Sequence, residues 1–124
     1  MRAYFLTNMY LSSIQHGIQS LHALQEINNK YGTTNELLVD WAENHKTAIV
    51  LNGGTSEQMA NIVNLLNNET NEYPWAIFNE PSIDNALTSI GIIVPDTIYG
   101  RERSDFGTFE YELSQLLRNR GFAR

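Results

Sequence analysis

Lys46-Thr47-Ala48-Ile49-Val50-Leu51-Asn52-Gly53-Gly54-Thr55 carries an apolar centre into a glycine pair and then into a helix-capping residue. An aliphatic run of this length closed by a turn signal reads as a buried strand over 46–52. Beyond the glycines, Thr55 is followed three residues later by Gln58. That is capping-box spacing, in which each residue's side chain satisfies the other's exposed backbone N–H. Met59, Ile62, Val63, Leu65 and Leu66 then recur at helical spacing until a polar run at 67–71 breaks the pattern. Strand, turn and helix in direct succession form the building unit of an α/β domain.

The same alternation continues on either side. Residues 2–7 (RAYFLT) read as a strand, and Ser12 or Ser13 offers an N-cap for the helix that follows. Ile14, Ile18, Leu21, His22, Leu24 and Ile27 mark the expected inward face of that helix, and Gly32 stands where a C-cap glycine would end it. Residues 35–44 predict a second helical piece carrying Leu37, Leu38 and Trp41. Downstream, 73–78 is a strand with Pro74 at its start, and 87–94 is a strand stopped by Pro95. A loop containing Gly100 leads to a closing helix at 109–117. The order β-α-α-β-α-β-β-α predicts an α/β fold with a mixed four-stranded sheet flanked by helices. The nearly continuous apolar centres of 46–52 and 87–94 predict central strands covered on both faces. One domain over 1–124 is expected, with a core of about 1–95 and a C-terminal extension with a helix over about 96–124.

Composition narrows the function classes. The chain has 124 residues, 42% of them hydrophobic and 18% charged, which is the balance of an ordered domain. It has no cysteine, so thiolate metal sites, disulfides and cysteine nucleophiles are excluded. No apolar run approaches the roughly 20 residues needed to span a bilayer, so no membrane partner is expected. Thr7 and Asn8 interrupt the N-terminal apolar stretch in a way a signal peptide would not, and a cytoplasmic location is expected. Eight Lys and Arg against fourteen Asp and Glu leave a net charge of −6, so the overall field cannot hold a nucleic acid. The positive charge is uneven: Lys30 and Lys46 are the only lysines, while Arg101, Arg103, Arg118, Arg120 and Arg124 crowd the last quarter. That tail is either a local anion-binding face or the solvated side of a helix. Its apolar stripe, Phe109, Leu113, Leu116 and Leu117, is expected to dock on the chain's own sheet, with a homodimer contact as the alternative.

Phosphate-loop, dinucleotide-binding, zinc-protease and nucleophile-elbow motifs are all absent. Gly53-Gly54 before a helix could cradle an anion, but a tight turn is the plainer reading. Of the three histidines, His22 is expected buried and His16 and His45 exposed. No pair has ligand spacing beside a carboxylate, so neither a metal nor any other cofactor is expected.

Two constellations stand out. One is Gln15-His16-Gly17-Ile18-Gln19-Ser20-Leu21-His22-Ala23, after the first strand and a polar loop; the other is Asp84-Asn85-Ala86-Leu87-Thr88, entering the last strand. A strand, a loop and a helix with Gln19, His22 and Ala23 in a Q-x-x-H-A pattern resemble the type-2, archaeal and eukaryotic, peptidyl-tRNA hydrolases. Asp84 and Thr88 fit that family's D-x-x-x-T segment, and the run from Asp40 to Val50 is similar to its helix end and second strand. The likeness covers about 1–95. It implies Gln15, Asp84 and Thr88 as catalytic groups, and Gln19, His22 and Glu80 as substrate-contacting ones. Glu80 is the alternative carboxylate to Asp84. The implied partner is tRNA or a nucleotide held at a local site. The sequence departs from the family at one telling position: the active-site lysine falls on Gln15, which carries no charge. The implied activity is hydrolysis of a peptidyl or aminoacyl ester; the alternative is a module of the same fold that binds without turnover.

Overall fold

Strand β1 (Arg2–Asn8) runs parallel to β2 (Ala48–Gly54) on one side and antiparallel to β4 (Ala86–Val94) on the other, and β3 (Trp75–Glu80) pairs antiparallel with the far side of β4. The resulting four-stranded mixed sheet has the order β2-β1-β4-β3. The computed structural model describes residues 1–100 and 107–124. Arg101 and Arg103 lie outside the described residues.

The expectation that 46–52 is a central strand is corrected: β2 is an edge strand, and β1 and β4 hold the centre. Its aliphatic run is explained by cover rather than by position. The C-terminal segment lies along its outer side, with Asn52 N donating to Gly121 O at 2.8 Å and Ala123 N donating to Val50 O at 3.0 Å. A single antiparallel bridge joins Leu51 to Phe122. An apolar edge strand is thereby shielded from pairing with another chain.

Helix α1 (Ser13–Tyr31) packs on one face of the sheet against Ala3, Phe5 and Ile93, together with Leu38 and Trp41. Those last two come from α2 (Glu36–Asp40) and the π-helical turn Trp41–His45 that continues it. Gly91 permits the close approach of α1. A Cβ there would lie about 3.0 Å from both Ile27 Cδ1 and Phe5 Cε1. The face of α1 turned to the sheet differs from the expected one. His16, Gln19, Ser20, Ala23 and Ile27 are buried, whereas Ile14, Leu21 and His22 are exposed. The helix follows polar complementarity here, because the sheet beneath its first half presents Thr7, Thr88 and Ser89 instead of apolar side chains.

The opposite face carries the larger core. Helix α3 (Ser56–Leu66) starts at the capping box: Thr55 N donates to Gln58 Oε1 at 2.9 Å and Gln58 N to Thr55 Oγ1 at 3.2 Å. Its Met59, Ile62 and Leu66 pack with Tyr4, Leu6, Leu51, Ile90, Ile92 and Val94 of the sheet. Ile98 of the short α4 (Asp96–Tyr99) and Phe109, Leu113 and Leu117 of α5 (Thr108–Asn119) complete the same cluster. The apolar stripe of the C-terminal helix is thus covered within the chain, as expected of an amphipathic helix. Among the described residues no helix is long and apolar enough to cross a membrane.

Candidate functional site

The first half of α1 lies over a band of buried polar groups at one end of the sheet. An irregularity in β4 creates much of it. Ser89 faces Phe78 of β3, but the next paired residues are Leu87 and Asn79, so Thr88 is an extra residue in the strand. Such a bulge re-aims a side chain. Strict alternation would send Thr88 to the face of Ile90, yet it meets α1 beside Ser89. Thr88 Oγ1 donates to Gln19 Oε1 at 2.6 Å, and Ser89 Oγ donates to Gln19 O at 2.6 Å. Thr88 and Gln19 are 1% and 2% exposed.

From Gln19 the hydrogen bonds run outward. Gln19 Nε2 donates to Gln15 Oε1 at 3.1 Å and lies 3.4 Å from Glu80 Oε1. This pattern fixes the direction of both amides. A carboxylate only accepts, so the nitrogen of Gln19 must face Glu80, and its oxygen takes the Thr88 proton. Gln15 then uses its oxygen toward Gln19, which leaves its NH₂ group available to a ligand. Thr88, Gln19 and Gln15 form a polarised relay from the buried sheet to the half-buried first turn of α1.

Four of the six expected site residues, Gln15, Gln19, Glu80 and Thr88, are therefore joined by hydrogen bonds, across 69 positions of sequence in the case of Gln19 and Thr88. Asp84 and His22 stand outside the relay. Asp84 follows a 3₁₀ turn, Pro81–Ile83, and takes the left-handed conformation with φ 59°. Its side chain is exposed, and Asn85 N closes the turn on Glu80 O at 2.9 Å. His22 is corrected from buried to exposed; its ring stacks on Phe78 with centroids 4.5 Å apart and planes 17° apart.

His16, expected at the surface, is the buried histidine. Its Nδ1 lies 2.6 Å from Thr7 Oγ1, and its carbonyl accepts from Ser20 Oγ at 2.6 Å. Asn8, at the end of β1, donates to Ser56 Oγ at 3.2 Å and orders the next loop by accepting from Tyr10 N at 3.1 Å. Thr7, Asn8 and Ser89 are parts of this polar band outside the two stretches singled out in the sequence, and His16 and Ser20 lie within the first stretch but have no expected role at the site. A signal was present: His16, Gln19, Ser20, Ala23 and Ile27 share helical spacing, and Thr7 has the strand parity of Ala3 and Phe5.

The glycine pair is a packing feature. A side chain at Gly53 would run into Met59 Sδ and the backbone of Thr7. Gly54 N donates to Asn52 Oδ1 at 2.8 Å, so this N–H is already satisfied within the chain rather than offered to an anion. Among the described residues no group of three His, Asp or Glu side chains converges as a metal site would require. No protein-family model matches the chain, and no curated protein matches its sequence.

Proposed function

We propose that the chain is a divergent peptidyl-tRNA hydrolase-like protein that cleaves the ester joining a peptidyl or aminoacyl group to tRNA. The support is the relay from Thr88 through Gln19 to Gln15, which presents an oriented amide donor at the start of α1. The resemblance of the Gln19-His22-Ala23 and Asp84-Thr88 patterns to that family supplies the substrate class, and an α/β sheet flanked by helices is compatible with it.

In the proposed reaction water adds to the ester carbonyl, and the bond to the ribose oxygen breaks. One proton of the water passes to that oxygen, giving a free acid and a tRNA hydroxyl. Gln15 Nε2 donates to the oxygen on which negative charge develops. Thr88 is too buried to touch substrate and acts as a positioning residue through Gln19. Asp84, open to solvent, orients the attacking water and takes its proton; Glu80 holds the Gln19 amide in the required direction.

A second reading, binding without turnover, draws on one observation: the group facing outward is the neutral Gln15, where the family places a charged lysine. Incubating the purified protein with peptidyl-tRNA and following ester release separates the two. Release that falls at least a hundredfold in Asp84→Asn supports hydrolysis. Release absent from the natural protein but gained in Gln15→Lys supports binding alone, and release absent from both refutes the ester substrate.

A further inference from the structure

On the face of the sheet opposite α1, a groove of about 280 Å³ runs along β2. Its floor is aliphatic, made of Ile49, Leu51 and Leu117. Three arginines are among its lining residues: Arg2 of β1, Arg118 of the last turn of α5, and Arg120 just beyond that helix, whose guanidinium reaches toward Gly54. Phe122, 74% exposed, forms part of the wall. In a chain of net charge −6, the meeting of three arginines on one groove is a local reversal of the prevailing field. Among the described residues, no carboxylate lies within ion-pair distance of any of the three.

The groove is also shaped before any ligand arrives. Arg2 Nη1 donates to Tyr4 OH at 3.0 Å, and its Cζ sits 4.1 Å from the centroid of the Tyr99 ring. Those two contacts hold the guanidinium in place, and the hydrogen bond to Tyr4 raises its pKa further above the ordinary value. Arg120 and Phe122 are placed by backbone pairing of the C-terminal segment with β2, through Asn52 N to Gly121 O and Ala123 N to Val50 O. One fixed guanidinium, two further arginines in the lining and the apolar surface beside them suit a ligand with an anionic head and an apolar body.

We propose that this groove binds a small organic phosphate monoester, with the phosphate met by arginine and an aromatic or aliphatic body lying on Leu51, Leu117 and Phe122. A phosphate monoester carries close to two negative charges, which answers to more than one guanidinium. A long polyanion fits less well. Its distant charges would face the acidic remainder of the chain, whereas a compact ligand feels the local arginines. The site lies on the far side of the sheet from Gln15, so it stands or falls independently of ester hydrolysis.

The test uses the full chain and three probes: phenyl phosphate, inorganic phosphate and a decamer of uridine, each titrated while backbone amide resonances are followed. The expected result is saturable binding of phenyl phosphate that shifts Leu51, Gly121 and Phe122 and leaves Gln15 and Gln19 in place. Phenyl phosphate should bind about tenfold more tightly than inorganic phosphate, because the ring adds apolar burial. Arg120→Gln and Arg118→Gln should each weaken it about tenfold, and Phe122→Ala should bring it close to inorganic phosphate. These surface variants are checked for native amide spectra. The natural protein's own shift map decides the case should one fail to fold. Absence of saturable shifts at the groove overturns the proposal, as does binding indifferent to both arginine changes. Tighter binding of the uridine decamer at the same residues also overturns it, in favour of a nucleic-acid surface.

Discussion

Replacing Thr88 by valine removes one hydroxyl from the buried end of the relay and almost nothing else. The two side chains have nearly the same shape, so no cavity forms, and the effect reports the hydroxyl's contacts: chiefly the 2.6 Å hydrogen bond to Gln19 Oε1, with a long one to Phe78 O at 3.4 Å. Gln19 is 2% exposed, so its carbonyl oxygen would be left without a partner and without water. A buried polar atom stranded in this way costs about 1–3 kcal/mol. With a urea slope of about 2 kcal/mol per M for a small domain, the unfolding midpoint should fall by about 0.5–1.5 M at unchanged slope. Adding Gln19→Met should restore part of the loss, because both ends of the bond are then apolar, and the coupling between the two sites should be about 1 kcal/mol or more. A midpoint for Thr88→Val within about 0.2 M of the natural protein's would refute the buried relay.

The remaining predictions bear on the helix face, the glycine contact and the acid behaviour. Leu21→Ser should change stability by less than about 0.5 kcal/mol, since Leu21 points outward, whereas Ile27→Ala should cost about 2–5 kcal/mol; the reverse ranking in urea would show that α1 packs by the other face. Gly53→Ala should destabilise by about 1–3 kcal/mol through collision with Met59 and the β1 backbone, and a neutral result in the same assay would contradict that close approach. The Asn44 side chain donates to Asp40 Oδ1 at 2.7 Å, and with His45 close by it holds the Asp40 carboxyl below its usual range. A carboxyl whose pKa is depressed by folding stabilises fully above its unfolded value, about 3.9, and that contribution is lost as pH falls through the lower folded value. An NMR titration of Asp40 should therefore show a midpoint below about 3.9 that moves up in Asn44→Ala; an unmoved midpoint would sink this attribution.

Much of the fold was legible where local signals agreed. The run from Lys46 to Leu66 combined aliphatic residues, a glycine turn and the Thr55–Gln58 box, and the structure forms strand and helix there. Its place in the sheet was not legible. An edge strand covered by residues 121–123 has the same apolar signature as a central one, and the covering segment lies about 70 positions away. The orientation of α1 misled for a related reason. Hydrophobic periodicity assumes an apolar sheet underneath, but Thr7, Thr88 and Ser89 present hydroxyls, and the helix turns Gln19 and His16 toward them. That single rotation also exchanges the two histidines, burying His16 and exposing His22. The family pattern assigns Gln19 and Thr88 to one site, and the two side chains are in contact. The bulge that makes the contact possible leaves no local trace in Leu87-Thr88-Ser89-Ile90.

The most direct test of the central claim is single-turnover ester release from peptidyl-tRNA by the natural protein and by Gln15→Glu. That substitution keeps the length of the side chain and its acceptor toward Gln19, but removes the outward N–H₂ donor. If the relay aims that donor at the reacting carbonyl, the natural protein releases peptide above the buffer rate and the variant loses about 10²–10³ of that rate. Release equal in the two proteins, or none from the natural one, would contradict it.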